Sequence, residues 1–477
     1  MSVVFWGGAF AVFHVVAVIA GLVTAVRVAQ HAHTAQGAVA WAIALIMMPW
    51  IALPAYLFIG PPRPGTFEND QATLRADAYA GLFSSETIPE AAIAPVSPTW
   101  RVLEHLAPTP ILYSGPPRLL VDGDAVFDAV FALIEAAERH IVVQFYIFRD
   151  DGLGRRLHAA LVRRAREGLT VRLIYDGIGA RNVPSAYWDG LREAGVDVKE
   201  FHLSRRLPKM MRLNYRNHRK LVAADGRIAI VGGPNVADEY LGLDPSFGDW
   251  RDTAVEISGP AAQVAQAAFD VDWLWAGGDH EPVKAEPVPL AESEFETPVL
   301  LLPTGPADPL PACSLALMHL IVSATSRLWL TTPYFVPDLD VLSALKLAAL
   351  RGVDVRVMIP DKPDHTVVWL AGFAYTNEIM RAGVKIYRYQ AGFMHQKVML
   401  VDDHVSAIGT VNFDNRSLHL NFENTVVIFD MTFAVETAAM LEADFARCRL
   451  VNEEGYATFS PLVRMLAPAT RLLAPLL

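Results

Sequence analysis

Asn217-His218-Arg219-Lys220-Leu221-Val222-Ala223-Ala224-Asp225 and Met394-His395-Gln396-Lys397-Val398-Met399-Leu400-Val401-Asp402 share one pattern, H-x-K-x4-D. In both copies six residues separate the aspartate from a glycine, which opens Gly232-Gly233-Pro234-Asn235 in the first and Gly409-Thr410-Val411-Asn412 in the second. Strand side chains alternate with period two, so a strand opening on His-x-Lys sends imidazole and ammonium to the same face. The four apolar residues before each aspartate suit a strand buried in a sheet. Thr410, where the first copy has Gly233, is the one departure and leaves the pattern intact.

Working outward, the surroundings repeat as well. Upstream of the first motif, His140 to Phe148 is an apolar run of strand character. A helix follows from Leu153 to Glu167, with Leu157, Leu161 and Ala165 at fourfold spacing, and Gly168 ends it before a strand at Leu169–Tyr175. The second copy runs from Arg327 to Phe335, then a helix over Asp340–Arg351, Gly352, and a strand at Val353–Ile359. The phrase from Arg192 to Val198 returns from Met380 to Ile386. Alternating strand–helix–strand units predict an α/β fold of two tandem domains with mostly parallel sheets, related by a pseudo-twofold axis. The boundaries read 66–115 for a docking linker, 116–285 and 286–311 for the first domain and a Pro- and Glu-rich linker, 312–455 for the second domain, and 456–477 for an amphipathic tail.

The chemistry explains the duplication. Splitting a phosphodiester needs a nucleophile, a proton donor for the leaving alkoxide, and cations for the phosphoryl oxygens. Imidazole suits the first two roles because its pKa lies near working pH. Lysine and asparagine supply charge and hydrogen bonds where negative charge develops. One copy supplies one histidine; two copies facing each other supply nucleophile and acid.

The N-terminus is of another kind. Val3 to Val26 and Val28 to Pro62 carry no Asp, Glu, Lys or Arg, and each exceeds the roughly 20 residues that a spanning helix needs. With Arg27, His31 and His33 in the connection, residues 1–65 read as a transmembrane helical hairpin. A cleaved signal is disfavoured, because the start lacks a basic region and a second apolar stretch follows. The loop charges do not decide which side the large domains occupy.

These motifs match the signature of the phospholipase D superfamily, and the chain resembles bacterial cardiolipin synthase over essentially everything beyond the linker. The paired apolar segments, Gln144-Phe145-Tyr146-Ile147, Asp238–Gly242, Trp250-Arg251-Asp252-Thr253, Thr332–Pro337 and Asn412–Ser417 carry the closer likeness. The resemblance implies transfer of a phosphatidyl group between two phosphatidylglycerol molecules, giving cardiolipin and glycerol, at the cytoplasmic face of a bacterial inner membrane. It implies a catalytic set of His218, Lys220, Asp225, His395, Lys397 and Asp402. His218 would be the nucleophile and His395 the acid and base; Lys220, Lys397, Asn235 and Asn412 would hold phosphoryl oxygens. Asp225 and Asp402 look structural or one step removed from the reaction. Asp252 and Glu423 match the acids that orient each histidine. No cofactor or metal is called for, and self-association stays open.

Composition narrows the rivals. A net charge of −11 argues against nucleic acid as a partner, since a basic face supplies most of that affinity. It counts against a membrane-tethered nuclease. Cys313 and Cys448, the only cysteines, show no metal-ligand spacing and read as reduced thiols. A phospholipase D using water, or a transferase with another acceptor, shares the first half-reaction and is not separated by the motifs. A lipid-binding scaffold would be expected to have lost a motif His or Lys, and both motifs are intact. The first copy also holds 11 extra residues before its motif, including Arg205, Arg206, Lys209 and Arg212. That cluster either meets anionic headgroups or forms a solvated loop. Leu462–Leu477 reads equally as an interfacial helix or a packed tail.

Overall fold

The computed structural model describes residues 2–31, 35–59, 73–75, 78–79, 81–83, 88–201, 215–278, 296–451, 467, 470–471 and 474. The basic cluster from Arg205 to Arg212, and nearly all of 456–477, lie outside them. The chain forms two units, one built on residues 1–70 and the other on 71–202 and 216–475.

In the first unit, α1 (Ser2–His31) contains no acidic residue in its first turn and remains apolar through most of its length. Helices α2 (Ala35–Met47) and α3 (Pro49–Ile59) follow, separated at Met48. Pro49 is the first residue of α3, where its missing N–H costs nothing, and it ends the continuity of the second apolar stretch. α2 and α3 run back along α1. The rings of His14 and Trp50 are 5.1 Å apart, and Gly21 lies so close to α2 that a Cβ there would sit 2.4 Å from the Leu45 carbonyl oxygen. Val28 and Leu45 are fully buried between the helices, whereas Val12, Phe13, Val16, Ile43 and Ile51 face outward. Among the described residues one stretch, Val12–Gln30, is long and apolar enough to cross a membrane.

The second unit begins with α4 (Arg101–Leu106) and β1 (Leu112–Ser114). Its first half comprises β2 (Arg118–Val121), α5 (Asp122–Ala136), β3 (His140–Phe145), α6 (Gly152–Arg166), β4 (Thr170–Asp176), α7 (Ser185–Glu193) and β5 (Asp197–Phe201). β6 (Leu221–Ala224), β7 (Ile228–Gly232), β8 (Trp250–Arg251), β9 (Thr253–Ser258) and α8 (Pro260–Trp275) complete it. The second half repeats the order: β10 (Thr297–Thr304), α9 (Ala312–Ser323), β11 (Arg327–Thr331), β12 (Phe335–Val336), α10 (Leu339–Leu350), β13 (Asp354–Pro360), α11 (Thr366–Met380) and β14 (Lys385–Tyr389). It closes with β15 (Phe393–Met394), β16 (Val398–Val401), β17 (Val405–Gly409), β18 (Phe413–Asp414), α12 (Asn415–His419), β19 (Glu423–Ile428), α13 (Met431–Ala446) and β20 (Cys448–Val451).

The first half forms a seven-stranded sheet in the order β2-β9-β7-β6-β3-β4-β5; the second forms a nine-stranded one, β1-β10-β19-β17-β16-β11-β13-β14-β20. Both are mixed, which corrects the expectation of mostly parallel sheets. Only β3–β4 and β4–β5 are parallel in the first, and only β11–β13 and β13–β14 in the second. The strand–helix–strand units end there. Beyond them β6 turns directly into β7, and β9 adds antiparallel to β7. A strand buried on both faces reads as one apolar run in either direction, so Leu221–Ala224 betrayed a strand and not its polarity. β1, within the segment read as a linker, is an edge strand of the second sheet, and Ala94, Leu103 and Ile111 join that half's core.

The register positions the motifs. Leu221 pairs with Gln144 and Val398 with Thr331, so each H-x-K precedes its strand at the carboxyl end of β3 or β11. The carboxyl ends of parallel strands are where α/β folds place their ligands. There the halves join: β8 pairs with β15, Trp250 opposite Phe393 and Arg251 opposite Met394, and Asn217 bridges Phe422.

Candidate active site

Each motif histidine is first fixed by its own main chain, to the other half. The His218 N–H donates to the Phe422 carbonyl (2.9 Å), and the His395 N–H donates to the Arg251 carbonyl (2.8 Å). The residue after each acceptor is an acid, so the carboxylates arrive crossed. Glu423 Oε2 lies 2.9 Å from His218 Nδ1. Asp252 Oδ2 lies 2.7 Å from His395 Nδ1. Each acid therefore orients the histidine of the opposite half, a pairing that chain order conceals. With Nδ1–H donated to a carboxylate, Nε2 carries the free lone pair.

Both acids are fully buried and both histidines nearly so. Burial pushes the two imidazoles down to about 4, against the pull of their carboxylates and with help from nearby lysines. Burial alone would raise Asp252 and Glu423, but His395 with Lys397 and His218 with Lys220 hold them below their ordinary values. Lys220 is driven well down, chiefly by desolvation, and Lys397 to about 8. Each imidazole feels the lysine of the other half, so the two motifs open on one site. Lys220 Nζ donates to the His218 carbonyl (2.7 Å) and lies 5.6 Å from the Tyr146 ring centre. Lys397 Nζ reaches the His395 carbonyl and lies 3.0 Å from His395 Nε2.

Asn235 Oδ1 accepts from the Ile147 N–H (3.0 Å), and its Nδ2 donates to the Tyr240 hydroxyl (2.6 Å). Asn412 is buried, and its Oδ1 has no hydrogen-bond partner among the described residues. Sequence reasoning gave no role to the aromatic walls. Tyr146 meets His218 edge-on at 5.2 Å, while Trp250 and Tyr240 stand 5.5 and 5.7 Å from His395. Tyr146 and Trp250 occur within the quoted motifs, and only their contacts reveal what they do.

Asp225 and Asp402 are placed differently from the other motif residues. Both adopt positive φ, 56° and 51°, in the turn after β6 or β16, a conformation that aspartate tolerates better than most residues. Asp225 accepts the N–H groups of Glu138, Arg139 and His140, and Asp402 those of Thr325, Ser326 and Arg327. Their carboxylates tie the turn to the start of β3 or β11, at the end of the strand away from His-x-Lys. By this placement both aspartates tie together the strands that carry the site. Burial would raise Asp402, but the N–H groups of Ser326 and Arg327 and the contacts of Thr325 bring it to about 2.

The Gly-x-x-Asn difference between copies also has a cause. A Cβ on Gly233 would stand 1.9 Å from Asp252 Oδ1. The matching Thr410 instead turns its hydroxyl onto Glu423 Oε2, and the Asn421 amide donates to Oε1 (3.2 Å). The longer acid leaves room for a side chain where the shorter one does not.

Two similar α/β halves, each lending a histidine to the other's acid, define a phospholipase D-like protein. The family model described as cardiolipin synthase, PLD-like domain, matches residues 130–273 and 317–449, and the chain belongs to that family. It is 41% identical over 465 residues to cardiolipin synthase A of Pseudomonas fluorescens, covering 96% of each chain. It is 42% identical over 465 residues to the Pseudomonas putida protein of the same name, again with 96% of each covered. In fold it is similar to a phosphatidylserine synthase of Haemophilus influenzae, with a TM-score of 0.61 at 17% identity, over 80% of this chain and 100% of that one.

Proposed function

We propose that this chain is a phosphatidyltransferase that makes cardiolipin from two phosphatidylglycerol molecules, with His218 as nucleophile and His395 as acid and base. The crossed dyads carry the reading: each imidazole offers a free Nε2 to one shared site, backed by a buried carboxylate. His218 Nε2 attacks phosphorus, and the bond to the headgroup glycerol breaks. The leaving alkoxide takes its proton from His395 Nε2–H, and phosphatidyl-His218 remains. The headgroup hydroxyl of a second phosphatidylglycerol then gives its proton to His395. Its oxygen attacks phosphorus, and His218 departs with its lone pair restored.

His395 must be protonated before the first step. Burial keeps it neutral in the empty site, and an arriving phosphodiester anion shifts that balance toward imidazolium. Lys397 Nζ lies over the same ring, 2.9 Å from Nδ1 and 3.0 Å from Nε2, where its charge faces an arriving phosphodiester. Lys220, Asn235 and Asn412 complete the set facing the phosphoryl oxygens. The family is membrane-associated. The apolar length of α1 and the return of α2 and α3 along it support a membrane anchor; the cytoplasmic side for the catalytic unit rests on the family resemblance.

The test is to incubate purified protein in detergent with phosphatidylglycerol alone and identify products by mass spectrometry. Cardiolipin with an equal amount of glycerol is expected. Phosphatidic acid and glycerol without cardiolipin would make water the acceptor and overturn the transferase reading.

A further inference from the structure

Beneath each dyad lies a second buried acid, on the last helix of its half. Asp272, on α8, accepts from Arg219 Nη1 (2.7 Å), Asn217 Nδ2 (2.8 Å) and Gln144 Nε2 (2.7 Å). Asp444, on α13, accepts from Arg251 Nε (2.8 Å) and Gln396 Nε2 (2.9 Å). The two aspartates are counterparts, yet the arginines that meet them are not. In the first half the arginine stands between His218 and Lys220. At the second motif that place is Gln396, and the arginine is Arg251, which the first half contributes just before Asp252. The counterpart of Arg251 is Phe422, since both lend their carbonyl to a catalytic histidine N–H. The Phe422 ring lies 5.6 Å from the Arg219 guanidinium carbon. One positive charge has thus changed places between two neighbouring positions, and the ion pair to the helix aspartate has persisted.

Both guanidinium groups do the same thing. Arg219 Nε donates to the main-chain carbonyl of Glu423 (3.2 Å), and Arg251 Nη1 donates to the main-chain carbonyl of Asp252. Arg219 also reaches the Thr304 carbonyl (3.1 Å), and Arg251 the Thr253 hydroxyl (3.1 Å) and Asp122 (3.1 Å). All four partners of the two pairs are nearly inaccessible to solvent. A guanidinium presents several donors in a rigid fork, which is what holding a carbonyl and a carboxylate at once requires.

We propose that Arg219–Asp272 and Arg251–Asp444 are positioning pairs that pin the backbone of Glu423 and Asp252 so that each carboxylate stays on its histidine. The guanidinium serves equally from either of the two positions. The proposal rests on the reading that the two dyads carry turnover.

The test relocates the charge. Arg219→Gln is expected to lower kcat roughly 10- to 100-fold, the usual cost of removing a group that orients a reactive one, with KM changed by less than about threefold. Arg219→Gln with Phe422→Arg gives the His218 dyad the arrangement of the His395 dyad, and kcat should return to within about fivefold of the unmodified chain if the guanidinium again pins Glu423. A readout independent of substrate accompanies it: the far-downfield imidazole proton of the His218–Glu423 hydrogen bond, followed by NMR on the full chain. That resonance should be lost in Arg219→Gln and regained in the double variant. Unchanged kcat and resonance in Arg219→Gln would overturn the proposal. So would a double variant that melts like the unmodified protein and recovers neither signal. If the double variant does not fold, Arg251→Phe with Gln396→Arg puts the same question to the other half. An unmodified chain that shows the resonance and makes no cardiolipin would refute the proposed function, while the resonance still judges the pairs.

Discussion

Gly233→Ala adds one carbon, and the structure says where it goes. The new Cβ would lie 1.9 Å from Asp252 Oδ1 and 2.7 Å from its Cγ. Van der Waals contact requires Oδ1 to retreat by about 1.5 Å. Asp252 cannot yield without disturbing its bond to His395, which is 2.7 Å long and lies at the other oxygen of the same rigid carboxylate. Losing a hydrogen bond to a charged group costs about 1.5–3 kcal/mol, which corresponds to a loss of between about 10- and 200-fold in rate if it is felt fully in the transition state. A displacement of about 1 Å alone can cost 100-fold. The assay is the initial rate of cardiolipin formation from phosphatidylglycerol in mixed micelles at saturating substrate, with the melting temperature measured beside it. kcat should fall within that range while KM stays close to its original value. Thr410→Gly, at the matching position, removes one donor from Glu423 and leaves His218 on its acid, so a loss under about tenfold is expected there. If Gly233→Ala retains more than half of kcat, or loses activity only through KM or stability, the steric coupling of Gly233 to the His395 dyad is wrong.

The crossing of the dyads makes its own prediction. Glu423→Gln should abolish accumulation of phosphatidyl-His218, by roughly the 10⁴-fold that a neutral amide costs a comparable triad, although residue 423 lies in the other half. Trapping with labelled phosphatidylglycerol measures it, and undiminished labelling would separate Glu423 from His218. Asp402→Asn should destabilise the fold by about 2 kcal/mol at pH 7 with kcat nearly unchanged, judging from a folded pKa of about 2 against 3.8. A depressed carboxyl stabilises above its unfolded pKa, so the gap between variant and parent should close as pH falls from about 4 to about 2; a gap independent of pH would deny Asp402 its charge-based role. Burial brings Lys397 down to about 8 in the empty site, and if its charged form serves turnover, kcat/KM should fall as pH rises through that value. Lys397→Arg, if it still turns over, should lose that alkaline fall, and a fall that persists belongs to another group.

Much of the site was legible because its chemistry is concentrated in two short runs. His218, Lys220, His395 and Lys397 stand at fixed offsets, and an acid follows each motif, Asp252 34 residues after His218 and Glu423 28 residues after His395. Which acid serves which histidine was not legible, since it depends on how β8 and β19 meet the opposite half. Strand polarity was hidden for a related reason: Val398–Val401 is buried along its whole length and reads the same in either direction. The aspartate of H-x-K-x4-D looked structural by resemblance, and its positive φ and three N–H partners supply the physical reason, a turn tied to a neighbouring strand. Asp272 and Asp444 gave no signal at all. Each is one of several acids on its helix, beside Asp270 on α8 or Glu436 and Glu442 on α13, and its importance lies in partners far away in sequence.

The exchange of carboxylates between halves also sets an order of events during synthesis. His218 is made early, with its strand and most of its sheet, but its acid is residue 423 and the carbonyl that holds its N–H belongs to Phe422. The first half can fold around its own core and still present a histidine without orientation. A nascent chain therefore stays catalytically silent until almost the whole protein has emerged. A fragment released early would carry His218 without the acid that orients it.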